Sequence, residues 1–223
     1  MMAAHREIET AIYYINITMI IQVKDKLFQV IVPQKSGISS VTNLLAFDVT
    51  HQTLSKTKAR RSLKKENKFF HLGDTYAIEE QFIKDNDIKI DYTFAVVRDP
   101  VKRFISSYKD RVIKKNKDSF ANTSIDFCID NLQILIDNKT DFGLHSRRQI
   151  FWLGNNLSVY DKIFTVDEIN TKFKSIVENV VDDIIPDIRA NVSNDNLNIM
   201  LSTDQNKKIA DFYKDDILLF NSL

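Results

Sequence analysis

The segment Thr93-Phe94-Ala95-Val96-Val97-Arg98-Asp99-Pro100-Val101-Lys102-Arg103-Phe104-Ile105-Ser106-Ser107-Tyr108 constrains the fold most, because an apolar strand runs through a charged turn directly into a helix. Val96 and Val97 end a β-branched and aromatic run of the kind buried in a parallel sheet, and Pro100 suits the first turn of a helix. Arg98 then stands at the strand's C-terminal end, where open α/β sheets bind their ligands. Ser106 follows about two helical turns later, so it and Arg103 share a helix flank. A planar guanidinium with a hydroxyl beside it suits a phosphate. The same residues also fit a plain turn, with Asp99 capping the helix and Arg98 paired to a carboxylate.

A second anion site is written earlier. Leu27 to Pro33 is a short apolar strand, Gln34-Lys35-Ser36-Gly37-Ile38-Ser39-Ser40 follows, and Val41, Leu44 and Leu45 then recur at helical spacing. A loop of Gly and Ser lets backbone N–H groups converge on an anion, and a helix starting near Ser39 directs its positive end to the same point. Lys35 adds a mobile charge. The loop is not a Walker A motif, because its Lys precedes the Gly. An ordinary tight turn with an N-cap Ser is the competing reading.

Strands at 27–33, 68–72, 92–97 and 159–165 alternate with helices at 39–48, 53–66, 75–86 and 100–116, as βαβ units do, and further helices are expected near 124–137, 145–153, 167–180 and 203–215. The expected fold is α/β, three layers with a central, mainly parallel sheet. Four Gly and three Pro leave no Gly/Pro-rich linker to divide 223 residues, so a single domain over 1–223 is expected, with 1–26 as an N-terminal extension packed on it.

The order Lys35-Ser36-Gly37-Ile38-Ser39-Ser40, then Arg98-Asp99-Pro100 with Arg103, Ser106 and Tyr108, resembles the sulfotransferase superfamily, and more closely its carbohydrate branch, the Golgi-type and bacterial family 2-like enzymes with a P-loop-like fold. His145-Ser146-Arg147-Arg148-Gln149 is similar to that family's His-x-x-Pro-Gln segment, with Arg148 in place of Pro. Tyr160-Asp161-Lys162-Ile163 with Glu168, then Asn191-Val192-Ser193 and Tyr213 to Asp216, resemble its later segments, so the likeness covers residues 27 to 220. Gln34 separates Pro33 from Lys35, where the family usually has Pro directly before Lys, and Ser39 replaces the commoner Thr. The resemblance implies that Lys35, Ser36, Gly37, Ile38, Ser39 and Ser40 hold the 5′-phosphosulfate of the donor PAPS (3′-phosphoadenosine 5′-phosphosulfate). Arg98 and Ser106 would hold its 3′-phosphate, and PAP would be the product.

Composition bounds the rest. Thirty-one basic residues against thirty acidic ones leave no global electrostatic footprint for nucleic acid. The single cysteine, Cys128, excludes an intramolecular disulfide and fits a reducing compartment. The apolar run from Ala11 to Val23 falls short of the roughly 20 residues that span a bilayer, and acidic Glu7 and Glu9 beside Arg6 are unlike a signal peptide. It reads as an extra strand or a short packed helix. A cytoplasmic enzyme with no integral span, at most in peripheral contact with a membrane, is expected.

Sulfuryl transfer needs an in-line arrangement of donor and acceptor, neutralisation of the leaving phosphate, and a base for the acceptor proton. Lys35 is the candidate on the leaving-group side, and Lys with helix N–H groups makes a metal unnecessary in principle. Relatives place a His or Glu base between the two motifs. His51, His71, Asp74, Glu79 and Glu80 lie there, and His71, at the end of a predicted strand, is the first candidate. His145 is a second candidate for support of the site, with a solvent-facing His at a helix N-terminus as the alternative. The acceptor expected is a carbohydrate or glycolipid hydroxyl. The basic run Lys56 to Lys65 either lines a groove for an anionic glycan or is a solvated helix face, and Phe151, Trp152 and Tyr160 either stack on a sugar or pack in the core. The rival functions are a P-loop nucleotide-dependent kinase and a sulfotransferase-like protein that binds PAPS or PAP without turnover.

Overall fold

The computed structural model describes residues 18–51, 56–65, 69–73, 76–115, 123–188 and 198–223. Five strands form one sheet: β1 (Thr18–Val23), β2 (Lys26–Ile31), β3 (Phe69–Gly73), β4 (Tyr92–Val97) and β5 (Lys162–Thr165), in spatial order β3-β1-β2-β4-β5. β2 pairs parallel with β4 and β4 parallel with β5, whereas β1 is antiparallel to both β2 and β3. The sheet is therefore mainly parallel, as the alternating pattern implies. The run ending at Val23 is an extra strand over 18–23, and it lies inside the sheet instead of on it. A turn at Lys24-Asp25, with Lys24 at φ 50°, joins it to β2. Residues 11–17 of that run lie outside the described residues.

Alternation along the central strands sorts their side chains into two layers. Met19, Ile21 and Val23 of β1, Phe28 and Val30 of β2, Phe94 and Val96 of β4, and Phe164 of β5 face one side. There they meet α1 (Ile38–Thr50) through Val41, Leu44 and Leu45, and α9 (Lys174–Val181) through Val177 and Val181. Ile31, Ala95 and Val97 face the other side, against Trp152 and Leu153 of α8 (Gln149–Leu153) and Leu219 of α11 (Lys214–Asn221). β2 and β4 are apolar on both faces because both are covered, which explains their near-continuous hydrophobic sequence. A third, helical cluster joins α4 (Pro100–Ser107), α5 (Ile125–Asp130), α6 (Leu132–Asp137), α7 (Asp141–Ser146) and α10 (Thr203–Phe212). Cys128 is buried within it and burial raises its thiol to about 12, so it packs as a small apolar residue. The basic run forms α2 (Lys56–Lys65), with Ala59 buried in the α1 layer, and α3 (Tyr76–Asp85) precedes β4.

Several predicted long helices are broken. The 124–137 helix divides at Asn131, where the backbone leaves the helical region at φ −110° and ψ 15°. The 145–153 helix becomes α7 and α8 because Arg147 and Arg148 are extended, with ψ 150° and 142°. The 203–215 helix ends at Phe212, and α11 restarts after Tyr213. The 100–116 helix is α-helical to Ser107 and then widens into a π-helical stretch, Tyr108–Lys115. The 167–180 helix begins as 3₁₀ and π turns, Val166–Glu168 and Ile169–Phe173. Among the described residues no helix is long and apolar enough to cross a membrane.

Candidate active site

Both anion motifs leave the same end of the sheet, because β2 and β4 are parallel neighbours. After β2, the Ser36 N–H bonds the Pro33 carbonyl at 3.0 Å and closes a turn. Lys35 takes a left-handed backbone at φ 66° and Gly37 one at φ 87°. Gly37 is the N-cap of α1, and no side chain caps that helix. The helix therefore begins one residue before the Ser39 start expected, and Ser39 is buried in its first turn instead of capping it. Its positive end meets the turn through which Lys35, Ser36 and Gly37 pass.

After β4, Asp99 caps α4 by accepting the Lys102 N–H at 2.9 Å, and Pro100 takes the first helical position. The capping half of the structural-turn reading is thus correct. Its other half fails: among the described residues no carboxylate forms an ion pair with Arg98, whose guanidinium instead donates to the Lys35 carbonyl at 3.0 Å. Burial lowers the Arg98 pKa, with Asp167 and Asp99 opposing. The two motifs, 63 residues apart, are brought into direct contact.

Gln149 holds that contact together. Its Oε1 accepts from the Ser36 hydroxyl at 3.1 Å and from the Arg98 N–H at 2.9 Å, and its Nε2 donates to the Arg98 carbonyl at 2.8 Å. The Asp216 carboxylate in turn accepts from the backbone N–H groups of Gln149, at 2.6 Å, and Ile150, at 2.9 Å. Burial pushes the Asp216 pKa up, while the Arg103 guanidinium 3.9 Å away and those N–H groups favour the carboxylate.

Arg103 does not line an anion site. It is fully buried, and its guanidinium donates to the carbonyls of His145 at 3.1 Å and Arg147, holding the extended pair between α7 and α8 in place. Tyr213 also donates to this segment, at the Ser146 carbonyl. Ser106, one turn further along α4 than Arg103, is half-buried, whereas Ser107 is buried and donates to the His145 carbonyl at 2.9 Å.

The Lys35 ammonium lies 2.6 Å from the Asp110 carboxylate. Burial lowers the Lys35 pKa, and Asp110 opposes that shift. For Asp110 itself burial acts upward, but Lys35, Arg111 and Lys115 outweigh it and hold the carboxyl at about 2. Arg111 continues the chain to Asp141 at 3.0 Å, and His145 Nδ1 donates to the Asp141 carbonyl at 2.7 Å. His145 is buried in the last turn of α7, not solvent-facing at a helix N-terminus, and burial with Arg111 lowers its pKa to about 4.

The candidate bases are scattered. His71 lies within β3, two residues before its end. Its backbone pairs with Ile20, which also pairs with Gln29, so it stands level with mid-β2 and two strands away, about 10 Å. The expectation that His71 follows its strand and reaches the edge with Lys35 is corrected at the backbone level. His51 caps the far end of α1, about 20 Å along the helix from the Lys35–Ser40 loop. Glu80 pairs with Lys84 at 3.0 Å on α3, which also carries Glu79; Asp74 lies outside the described residues. Trp152 and Tyr160 are core residues, and the Tyr160 hydroxyl donates to the Leu153 carbonyl, so neither is a sugar platform. Phe151 is half exposed, with the Arg147 guanidinium 4.8 Å from its ring centre. Of the later family-like segments, Asp161 accepts the Thr93 N–H and Glu168 the Thr165 N–H, while Asn191 and Ser193 lie outside the described residues. Among the described residues no cluster of His, Cys, Asp or Glu could hold a metal ion.

Asp110 is the participant with no signal in the sequence, since a carboxylate between lysines and an arginine on a helix reads as a solvated face. Gln149 and Asp216 stand in family-like segments, but their partners follow only from the folded chain.

Comparison with curated proteins and with solved structures finds no match. The family model described as "Sulfotransferase family" matches residues 18–221, from the first residue of β1 to the last of α11. With the parallel β2 and β4 delivering a Lys-Ser-Gly loop and an Arg-Asp-Pro turn to one sheet end, the chain belongs to the sulfotransferase family.

Proposed function

We propose that the protein transfers the sulfuryl group of PAPS to a hydroxyl of a carbohydrate or glycolipid. The single observation that carries the reading is the hydrogen bond from Arg98 to the Lys35 carbonyl, because it brings the two anion motifs into contact, as the walls of one site would be. A donor with phosphates at both 5′ and 3′ positions needs such a pair. The 5′-phosphosulfate would meet Lys35 and the backbone of Ser36, Gly37, Ile38, Ser39 and Ser40 at the start of α1. The 3′-phosphate would meet Arg98 and Ser106.

The chemistry follows from charge. As the S–O bond to the phosphate lengthens, negative charge grows on the bridging oxygen, and Lys35 would neutralise it. The acceptor oxygen attacks sulfur from the opposite side and gives its proton to a base. For the base, His71 is the candidate by its place in the chain between the two anion motifs, although its backbone lies inside β3 and not at the sheet edge with Lys35. Neutralisation by Lys35 and the helix N–H groups accounts for the leaving phosphate without a metal. The exposed basic surface of α2, including Arg61 and Lys65, suits an anionic glycan, and the protein is proposed to work in the cytoplasm.

Transfer of labelled sulfate from PAPS to a glycan panel tests the reading, with Lys35→Ala and Arg98→Ala as controls. Activity in the wild type and loss of at least ~100-fold in both variants is expected, the scale for removing one charged transition-state contact. Full activity in both variants would refute the site. Tight 3′,5′-ADP binding with no turnover on any acceptor would point to a binding protein, and magnesium-dependent phosphate transfer to a kinase.

A further inference from the structure

We propose that Gln149 is a positioning residue that fixes the Lys35–Ser40 loop against Arg98, so that a ligand carrying two phosphates is bound by both halves at once. The inference rests on the donor reading above and adds the residue that makes its two halves one site.

Gln149 is fully buried, and every polar atom of its amide is used within the site. Oε1 receives the Ser36 hydroxyl from the loop and the Arg98 N–H from the strand exit, while Nε2 returns a bond to the Arg98 carbonyl. Pairing with both the N–H and the C=O of one residue fixes which end of the amide is oxygen. It also sets the height of the Arg98 backbone, as a neighbouring strand would. The Ser36 bond ties the loop to the same atom, so the loop and Arg98 cannot slide past each other without breaking a buried bond. Gln149 is held from behind by Asp216, also fully buried, which grips the first two backbone N–H groups of α8. Arg103 stands behind Asp216 and holds the Arg147 and His145 carbonyls just upstream. Both polar atoms of the Gln149 amide are engaged by the protein and the residue is fully buried, so its action is on spacing.

Spacing matters most for a ligand anchored at two points. If it is relaxed, a doubly phosphorylated ligand loses the advantage of binding both ends together, whereas a singly phosphorylated one loses little. The test measures Kd by calorimetry for 3′,5′-ADP, 5′-AMP and 3′-AMP with the full chain. In the wild type 3′,5′-ADP should bind far more tightly than either monophosphate. Gln149→Met keeps the volume and removes all three side-chain bonds; it should weaken 3′,5′-ADP by ~10–100-fold and the monophosphates by less than ~3-fold, as one or two lost buried bonds predict. Gln149→Glu keeps the shape and the acceptors but cannot donate to the Arg98 carbonyl, and should fall between. It also serves if the Met variant does not fold, which its melting curve shows. Equal weakening of all three ligands, or unchanged 3′,5′-ADP binding, in a folded variant overturns the inference while leaving the donor site standing. Absence of 3′,5′-ADP binding by the wild type overturns the donor reading and this inference with it.

Discussion

Lys35 and Asp110 form a close ion pair, with Nζ 2.6 Å from Oδ2 and both side chains largely withdrawn from water. Burial alone would favour a neutral amine, and Asp110 counters it. Removing the carboxylate in Asp110→Asn lowers the Lys35 pKa further. The alkaline loss of 3′,5′-ADP binding should therefore begin at lower pH in the variant than in the wild type, when affinity is followed from pH 7 to 10.5. Coincident profiles would show that Asp110 does not set the charge of Lys35.

Asp216 and Arg103 are fully buried together, and the carboxylate also satisfies two N–H groups at the start of α8. Asp216→Ala leaves the guanidinium without its counter-ion and both donors without an acceptor. A loss of about 3–5 kcal/mol in denaturant unfolding is expected. Asp211→Ala, which breaks an exposed pair with Lys207, should leave the unfolding midpoint unchanged. Comparable effects from the two variants would contradict the bracing role of Asp216.

His145 has a pKa lowered from 6.5 to about 4, by burial first and then by Arg111 and Lys35, with the Asp141 carbonyl and carboxylate opposing. A depressed folded-state pKa means that the unfolded chain binds the proton first. The stability contributed by neutral His145 is complete above pH 6.5 and declines as pH falls toward about 4. Urea unfolding at pH 7.5 and pH 5 should differ by about 2 kcal/mol in the wild type, and by less in His145→Gln. An equal difference in both proteins would remove His145 as the cause.

Gly37 turns the chain into α1 at φ 87°, and a Cβ added there would lie 2.6 Å from Ile169 Cδ1. The Ile169 methyl can move aside, but the left-handed backbone cannot be relieved so easily. Gly37→Ala should cost about 1–2 kcal/mol of stability and weaken donor binding, because the turn that presents Lys35 and Ser36 must shift. A variant as stable as the wild type and with the same affinity for 3′,5′-ADP would count against the strained turn.

The sequence carried most of the architecture because β2 and β4 are buried on both faces, so their composition announces them. It also marked both anion motifs, through Pro100 after Arg98 and through the Ser-Gly turn after Lys35. What it hid follows from long-range partners. Arg103 looks like a ligand residue on an amphipathic helix, yet it is consumed by carbonyls some forty residues away, at positions 145 and 147. Asp110 looks like one charge in a solvated run, yet folding buries it against Lys35, 75 residues earlier. His71 is expected at the sheet edge with Lys35, but β1 inserts between β3 and β2, and a hairpin strand from the segment upstream of β2 is invisible to a βαβ pattern.

The central claim is that the Lys35–Ser40 loop and Arg98 form one site for a donor phosphorylated at both ends. Calorimetric titration of the purified chain with 3′,5′-ADP and 5′-AMP tests it most directly, in wild type and Arg98→Ala. One-to-one binding of 3′,5′-ADP that exceeds 5′-AMP by at least ~10-fold is expected, with that preference lost in Arg98→Ala, as removal of a charge-assisted phosphate contact requires. Equal affinities for the two nucleotides in the wild type, or a preference that survives in Arg98→Ala, would contradict the account.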